Sequence, residues 1–308
     1  MHTLAKRGVF IAGGNPNTID HLTAVQLRHY RLPFAPPEEQ RAIVGFLDRE
    51  TARIDALAAK KEQLIALLQE KRTALITRAV TKGLGPEAPM RDSGVEGLGE
   101  IPAHWTVKRV HQSCSRVTDG AHISPDTSSA DFPFVSTVDI HGRTIDFDGC
   151  LRTSSSSYAY MEKTGCRPVR GDILFSKDGT VGTTAVVAID MKFAVASSLV
   201  ILSPNKAELE SGWLDYWLNS VFIKDIVELL LSGAALRRIS VAKVGRLPLL
   251  LPPALNEQRA IATFLDRETA KIDAMVAKVQ EAIDRLKELR TALISAAVTG
   301  KIDVREGA

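Results

Sequence analysis

Four short constellations carry residue types that could do chemistry. The first is Asp119-Gly120-Ala121-His122. A zinc site needs three or four ligands, and one carboxylate with one imidazole falls short, so no metal is expected there. The second is Ser176-Lys177-Asp178-Gly179-Thr180-Val181-Gly182. It has the look of a phosphate cradle but no lysine after the second glycine, so the GxxxxGK[ST] pattern is missing. It reads as a tight turn between strands at Asp172–Phe175 and Thr184–Ala188, or as a turn whose lysine and amides meet a DNA phosphate. The third is Ser154–Ser157, which without a positioned base reads as a solvated loop. The fourth is Arg237-Arg238, after Ser232-Gly233-Ala234. Adjacent arginines on a glycine-marked loop suit bidentate contact with guanine or phosphate, or simply a solvated surface. H-E-x-x-H, the Asn/Asp-Pro-Pro-aromatic motif of amino-methyltransferases and paired nuclease carboxylates do not occur in recognisable form. No catalytic residue is expected, and the chain reads as a non-enzyme.

Composition narrows the setting. A net charge of +3 permits nucleic-acid binding without arguing for it. Three cysteines, Cys114, Cys150 and Cys166, have no metal-ligand spacing and cannot all pair with one another, which fits a reducing cytoplasm. The apolar runs Val227–Leu231 and Leu247–Leu251 are far too short to span a bilayer, and the N-terminal apolar stretch Val9–Ala12 is too short for a signal peptide. The chain is expected to be cytoplasmic, with no membrane association.

What must position these residues is visible as a repeat. Glu39–Leu57 (EQRAIVGFLDRETARIDAL) and Glu257–Met275 (EQRAIATFLDRETAKIDAM) agree at 15 of 19 positions. Arg72–Thr81 and Arg290–Thr299 agree at 8 of 10, while the stretches between agree at only 5 of 14. In the second copy Ile272, Val276, Val279, Ile283, Leu286 and Leu293, with Arg290 in the gap, alternate steps of four and three, the seam of a coiled coil. The first copy repeats this as Ile54, Ala58, Lys61, Ile65, Leu68, Arg72 and Leu75, with Leu57, Leu64 and Leu67 expected to widen the stripe. A helix from about Asp48 to Val80 needs a partner along its length, and the other copy is the simplest one. Pro36-Pro37 and Pro252-Pro253 mark the starts, and Gly83 and Gly300 the ends.

The chain then divides as follows. Residues 1–35, with loop chemistry at Gly13–Asn17, are too few to fold alone; 36–83 is the first helical region; 84–104 is a Gly- and Pro-rich linker; 105–251 is a domain; 252–308 is the second helical region. Short apolar runs separated by turns (Pro133–Val135, Thr144–Phe147, Asp172–Phe175, Thr184–Ala188, Phe193–Val195, Leu199–Leu202) predict strands, and Trp213–Leu231 has helical spacing. The fold class is α+β: a mostly-β mixed domain plus two long helices.

Taken together, the repeats, their shared approach (RLPFAPPEEQ at 31–40, RLPLLLPPALNEQ at 246–258) and the passage MRDSGVEGLGEIPAHWTVKRV at Met90–Val110 resemble the specificity subunit of type I restriction-modification systems. DGAHISP, FPFVSTVDI and GDILFSKDGTVG follow in an order similar to one class of its target-recognition domains. The resemblance implies two helices paired antiparallel as a ruler between two recognition domains. Here 105–251 would be one of them and 1–35 the tail of another, otherwise missing, so a homodimer is a further expectation. It implies double-stranded DNA, methyltransferase subunits and a restriction motor-nuclease as partners. S-adenosylmethionine, ATP and Mg would belong to those partners, with no cofactor in this chain. Thr118, Asp119, Gly120, His122, Lys177, Gly179, Thr180, Arg237 and Arg238 are the expected DNA contacts. The well-kept repeat ends suggest docking of methyltransferase through Arg49, Glu50, Arg72, Arg267, Glu268 and Arg290. The competing reading is a truncated coiled-coil assembly protein that binds the methyltransferase but reads no DNA.

Overall fold

In the computed structural model, two helices of unusual length dominate the secondary structure: α1 (Pro37–Lys82) and α6 (Leu255–Val298). The structure describes residue 28 and residues 34–85, 88–231 and 237–304. The Gly13–Asn17 loop, most of the 1–35 stretch and the Ser232–Ala234 loop lie outside these. Two compact units are present: residues 1–68 with 274–308, and residues 69–273.

The first unit is helical. In α1, partial burial recurs at Leu47, Thr51, Ile54, Ala58, Lys61, Ile65 and Leu68; in α6 burial or partial burial recurs at Val276, Val279, Ile283, Leu286, Arg290, Leu293 and Ala297. The expected seam is therefore the buried one. The widening of the stripe is not observed, because Leu57, Leu64 and Leu67 are all exposed. They lie outside the narrow 3.5-residue seam, which two helices alone can cover. Arg290 Nε donates to Asp55 across the seam at 2.9 Å.

The second unit holds the rest of both helices and a mixed α/β body. Here Arg72 Nε donates to Asp273 at 3.1 Å. Position 55 faces 290 and position 72 faces 273, so the index rises along one helix as it falls along the other: the pairing is antiparallel. The body contains a hairpin of β1 (Met90–Asp92) and β2 (Glu100–Pro102), then β3 (Thr106–Arg109) and β4 (Cys114–Asp119). Next come β5 (Phe132–Val135), β6 (Ile140–His141), β7 (Thr144–Ile145), β8 (Leu151–Thr153) and α2 (Ser155–Lys163). Then follow β9 (Ile173–Ser176), β10 (Thr184–Val186), β11 (Ala194–Val195) and β12 (Leu199–Pro204). The body ends with α3 (Ser211–Leu218), α4 (Val221–Leu230), α5 (Val241–Gly245) and β13 (Pro248–Leu251).

The central sheet has the order β10-β9-β12-β4, with every neighbouring pair antiparallel. It is buried on both faces. Ile173, Phe175, Val200 and Leu202 join one core, while Leu174, Leu199 and Ile201 join another. Side chains alternate between faces along a strand, so burial on both sides produces the unbroken apolar runs that marked these strands in the sequence. A second sheet, β11-β5-β8, pairs β11 and β5 in parallel. Strand β13 pairs antiparallel with β3, from Pro248 opposite Arg109 to Leu251 opposite Thr106, which closes the two ends of the 105–251 stretch on each other.

Three expectations change. The stretch 84–104 is no simple linker: it folds into the β1–β2 hairpin and contributes buried Leu98 and Ile101 to the core. Ser154–Ser157 is no solvated loop. Ser154 caps α2, its hydroxyl accepting from Ser157 N at 3.3 Å. The helical stretch from Trp213 breaks at Asn219-Ser220 into α3 and α4, where Ser220 caps the second helix.

The start of α6 is fastened to the body by the residues that open the repeat. The Gln258 side chain is fully buried; Nε2 donates to the Glu208 and Pro252 carbonyls and Oε1 accepts from Glu210 N, all at 2.8 Å. Glu257 accepts from Trp105 Nε1 at 2.9 Å. Trp105 in turn packs edge-on against Trp213, with centroids 5.3 Å apart.

Seam burial predicts the effect of two substitutions. Ile283→Ala should cost about 2–5 kcal/mol through lost burial and an incompletely filled cavity. Leu64→Gln, at an exposed position, should stay within about 0.5 kcal/mol. Thermal melts followed by circular dichroism would check both.

Candidate nucleic-acid interface

Strands β4 and β9 both pair antiparallel with β12, so they run in the same direction and end on the same edge of the sheet. Val200 lies opposite Asp119, and Leu199 opposite Ser176. This register brings together two constellations nearly sixty residues apart in sequence. Lys177 Nζ lies 3.3 Å from Asp119 Oδ2 and 3.9 Å from Asp178 Oδ2. His122 Nε2 lies 2.9 Å from the same Asp119 oxygen. The segment bearing the arginine pair joins by a bridge between Asp178 and Arg238, with Ile239 N donating to the Lys177 carbonyl at 3.0 Å. Arg238 Nε lies 3.4 Å from Asp178 Oδ1.

The expected contacts differ in how they are placed. Asp119, His122, Lys177 and Arg238 form one patch. Gly179 and Thr180 are exposed at the tip of the β9–β10 turn, with Gly179 at φ +69°. Arg237 turns away and pairs with Glu228 on α4. Thr118 is half-buried within β4, opposite Ile201. Gly120 is buried, and a Cβ there would fall 2.2 Å from the Val195 carbonyl oxygen. Its role is backbone packing: the chain crosses so closely that only glycine fits. Among the described residues no group of three or more metal-ligating side chains occurs. Burial pushes the Cys114 thiol up to about 12, with Asp172 and Glu208 adding to the effect, so it stays protonated at neutral pH.

Arg72 and Arg290, expected to meet a partner, are seam residues that pair within the chain with Asp273 and Asp55. Arg49 and Arg267 behave differently. Each bonds the next glutamate, Glu50 or Glu268, at 3.0 and 2.9 Å, and each lies 5.7 Å from the ring of Phe46 or Phe264. The two copies thus present the same arrangement, an exposed arginine beside a half-buried glutamate.

One network went unread in the sequence. The β6–β7 hairpin turns through Gly142 and Arg143, both at positive φ (+53° and +76°). A left-handed arginine is costly, by about 1–3 kcal/mol. Its side chain lies over the Tyr216 ring, 3.7 Å from the centroid, and donates to the fully buried Asp215. Thr184 Oγ1 also donates to Asp215, at 2.5 Å, and Tyr216 OH donates to Asp266 at 2.7 Å. Burial pushes the Asp215 carboxyl above its usual range, against the pull of Arg143. Burial likewise opposes the charge on Arg143, but Asp215 and Tyr216 together outweigh it and the arginine's pKa rises. The available signal was Asp215 itself, a lone acid among apolar and aromatic residues in SGWLDYWL, where a buried carboxylate must find a partner.

Residues 105–285 match the family described as type I restriction modification DNA specificity domain. The chain belongs to that family. Two curated members are similar over most of this chain. The EcoBI specificity subunit of Escherichia coli is 22% identical over 294 residues, covering 92% of this chain and 61% of the relative. The EcoDI specificity subunit, also from Escherichia coli, is 21% identical over 309 residues, covering 94% of this chain and 66% of the relative. The chain therefore spans less than two thirds of the length of these specificity subunits. The fold is shared with a chain solved in work on complex assembly and conformational transition of the type I R-M system (TM-score 0.71, 20% identity, 95% of this chain and 67% of that one). It is also similar to the HsdS subunit from Thermoanaerobacter tengcongensis (TM-score 0.53, 19% identity, 97% and 68%). Among the described residues of this family member, no helix is long and apolar enough to cross a membrane.

The Arg143 network sets a pH-dependent expectation. Arg143→Ala leaves Asp215 buried without its cation and should cost about 3–5 kcal/mol at neutral pH. The folded state then holds the Asp215 proton more tightly than the unfolded state, so the variant's stability should fall as pH rises through the raised pKa. Adding Asp215→Asn should remove that slope. Urea melts at pH 5 and pH 8 would measure both effects.

Proposed function

We propose that this chain is the DNA-reading, non-catalytic member of a type I restriction-modification assembly. It selects the site, and partner subunits carry out methylation and cleavage. The observation that carries this reading is the convergence of Asp119, His122, Lys177 and Arg238 on one edge of the central sheet, on a chain of the specificity-domain family. At such an edge, Lys177 and Arg238 would meet phosphates or guanine edges, and Asp119 would accept from a cytosine amino group. Thr118, Gly179 and Thr180 would line the approach, Arg237 would stand at its margin on Glu228, and Gly120 would hold its backbone shape. In this reading 105–251 is the recognition domain and the regions 36–83 and 252–308 are the helical ruler. The segment 84–104 joins ruler to domain.

The repeated pairs Arg49-Glu50 and Arg267-Glu268 would dock methyltransferase subunits. Those subunits supply S-adenosylmethionine chemistry, and a motor-nuclease supplies ATP- and Mg-dependent cleavage. Such an assembly works in the cytoplasm, where its DNA is. Two copies of the chain would bring two recognition domains to one DNA.

Lys177→Ala should weaken binding to duplex DNA and flatten its salt dependence by about 0.9 in log–log slope for each phosphate that is no longer neutralised. Arg237→Ala, paired with Glu228 at the margin, should have a smaller effect. If both variants bind duplex DNA as the wild type does, with an unchanged slope, the reading is wrong. Arg49→Ala with Arg267→Ala should reduce co-purification with a methyltransferase subunit while leaving thermal stability nearly unchanged. Unfolding with assembly intact would reverse that assignment.

A further inference from the structure

Behind the β9–β10 turn lies a cleft of about 460 Å³ within the second unit. Its wall brings together Arg72 from α1, Lys224 from α4 and Arg143 from the β6–β7 turn. Thr180, Gly182 and Asn219 supply further polar groups, and Glu228 adds a carboxylate. Arg72 and Arg143 have partners in Asp273 and Asp215, and Glu228 is engaged by Arg237. Lys224 stands on the exposed side of α4, and among the described residues no carboxylate lies within ion-pair distance of it. Desolvation lowers its pKa, with the charge of Arg72 adding to the effect. Two cations facing one cleft with their charges unfavourably close is the arrangement that an anion relieves.

The same turn presents Lys177 and Asp178 on one side and Thr180 and Gly182 on the other. The cleft therefore adjoins the patch assigned above to DNA, with only the turn between them. From this we infer that the cleft is a phosphate clamp: Lys224, supported by Arg72, takes a backbone phosphate of the bound duplex beside the base-reading patch. This inference rests on the DNA-reading function proposed above. It adds a contact that reads no sequence, made from a helix (α4) and a ruler residue (Arg72) outside the loops that would face bases. Phosphate contacts of this kind fix register and orientation and carry no base information. A free inorganic phosphate or a nucleotide phosphate would have the same chemistry, so the test has to separate these sources.

The experiment uses the full chain with Lys224→Ala and Lys224→Arg, since the position is exposed and outside the seam. Duplex DNA is titrated by fluorescence anisotropy between about 50 and 200 mM salt, and inorganic phosphate is titrated separately by calorimetry in the absence of DNA. The clamp predicts that Lys224→Ala loses affinity severalfold and equally for all duplex sequences, with the log–log salt slope reduced by about 0.9. It also predicts that Lys224→Arg restores the slope. Wild-type binding with an unchanged slope in Lys224→Ala would overturn the clamp while leaving the DNA reading standing. Loss of inorganic phosphate binding in Lys224→Ala with an unchanged DNA slope would overturn it in favour of a free-phosphate site. A wild-type chain that binds no duplex would overturn the DNA reading itself, and the clamp with it.

Discussion

The structure depends on a helix too long to stand alone. Alpha-helical hydrogen bonding gives little net stability to an isolated segment in water, so α1 and α6 persist by burying a stripe against one another. The stripe is narrow, with one side chain about every three and a half residues, and Leu57, Leu64 and Leu67 remain outside it. The narrowness explains the uneven identity of the repeat. Away from the seam the middle can change freely, and within it only apolar character and the two arginines matter. The body then uses the helix ends as a frame. Ile76, Ala79 and Val80 on one side and Ile261, Ala262 and Leu265 on the other belong to the same core as Trp105 and Trp213.

That core changes the meaning of the best-kept part of the repeat. In the second copy, Glu257 and Gln258 satisfy buried donors and acceptors of the body, and Asp266 takes the Tyr216 hydroxyl. Leaving such groups unpaired would cost far more than the bonds themselves contribute. Internal packing therefore accounts for much of the EQ…FLD pattern. The pair that follows, Arg267-Glu268, and its image Arg49-Glu50 repeat the same local contacts, each arginine on its glutamate and near a phenylalanine ring.

Much of this was legible in the sequence because it is periodic or local. The four-three spacing located the seam to the residue, and unbroken apolar runs marked strands of a sheet buried on both faces. The turn at Ser176–Gly182 was legible from its glycines. The hairpin at Met90–Pro102 was hidden because its strands are short and the stretch between them is glycine-rich, so composition resembled a linker. Strand β4 carries one side of the site and β13 closes the ends of the body, yet neither is distinctive alone; their partners lie far away in the chain, β12 for the one and β3 for the other. The same distance hid the union of Asp119 with Lys177, since proximity there follows from register with β12. Gly120 shows the reverse error. Its place in a loop suggested a contact, whereas its neighbour is a carbonyl 2.2 Å from where a side chain would begin.

The two seam ion pairs have a consequence for inheritance. Asp55 and Asp273 are images of each other under the repeat, as are Arg72 and Arg290, and each pair takes one member from each copy. A substitution in one copy therefore strands a charge belonging to the other. Charge reversal at both partners of one pair would keep that pair yet spoil the likeness between copies. The copies can drift apart in their sequence, but at these four positions each is answerable to the other.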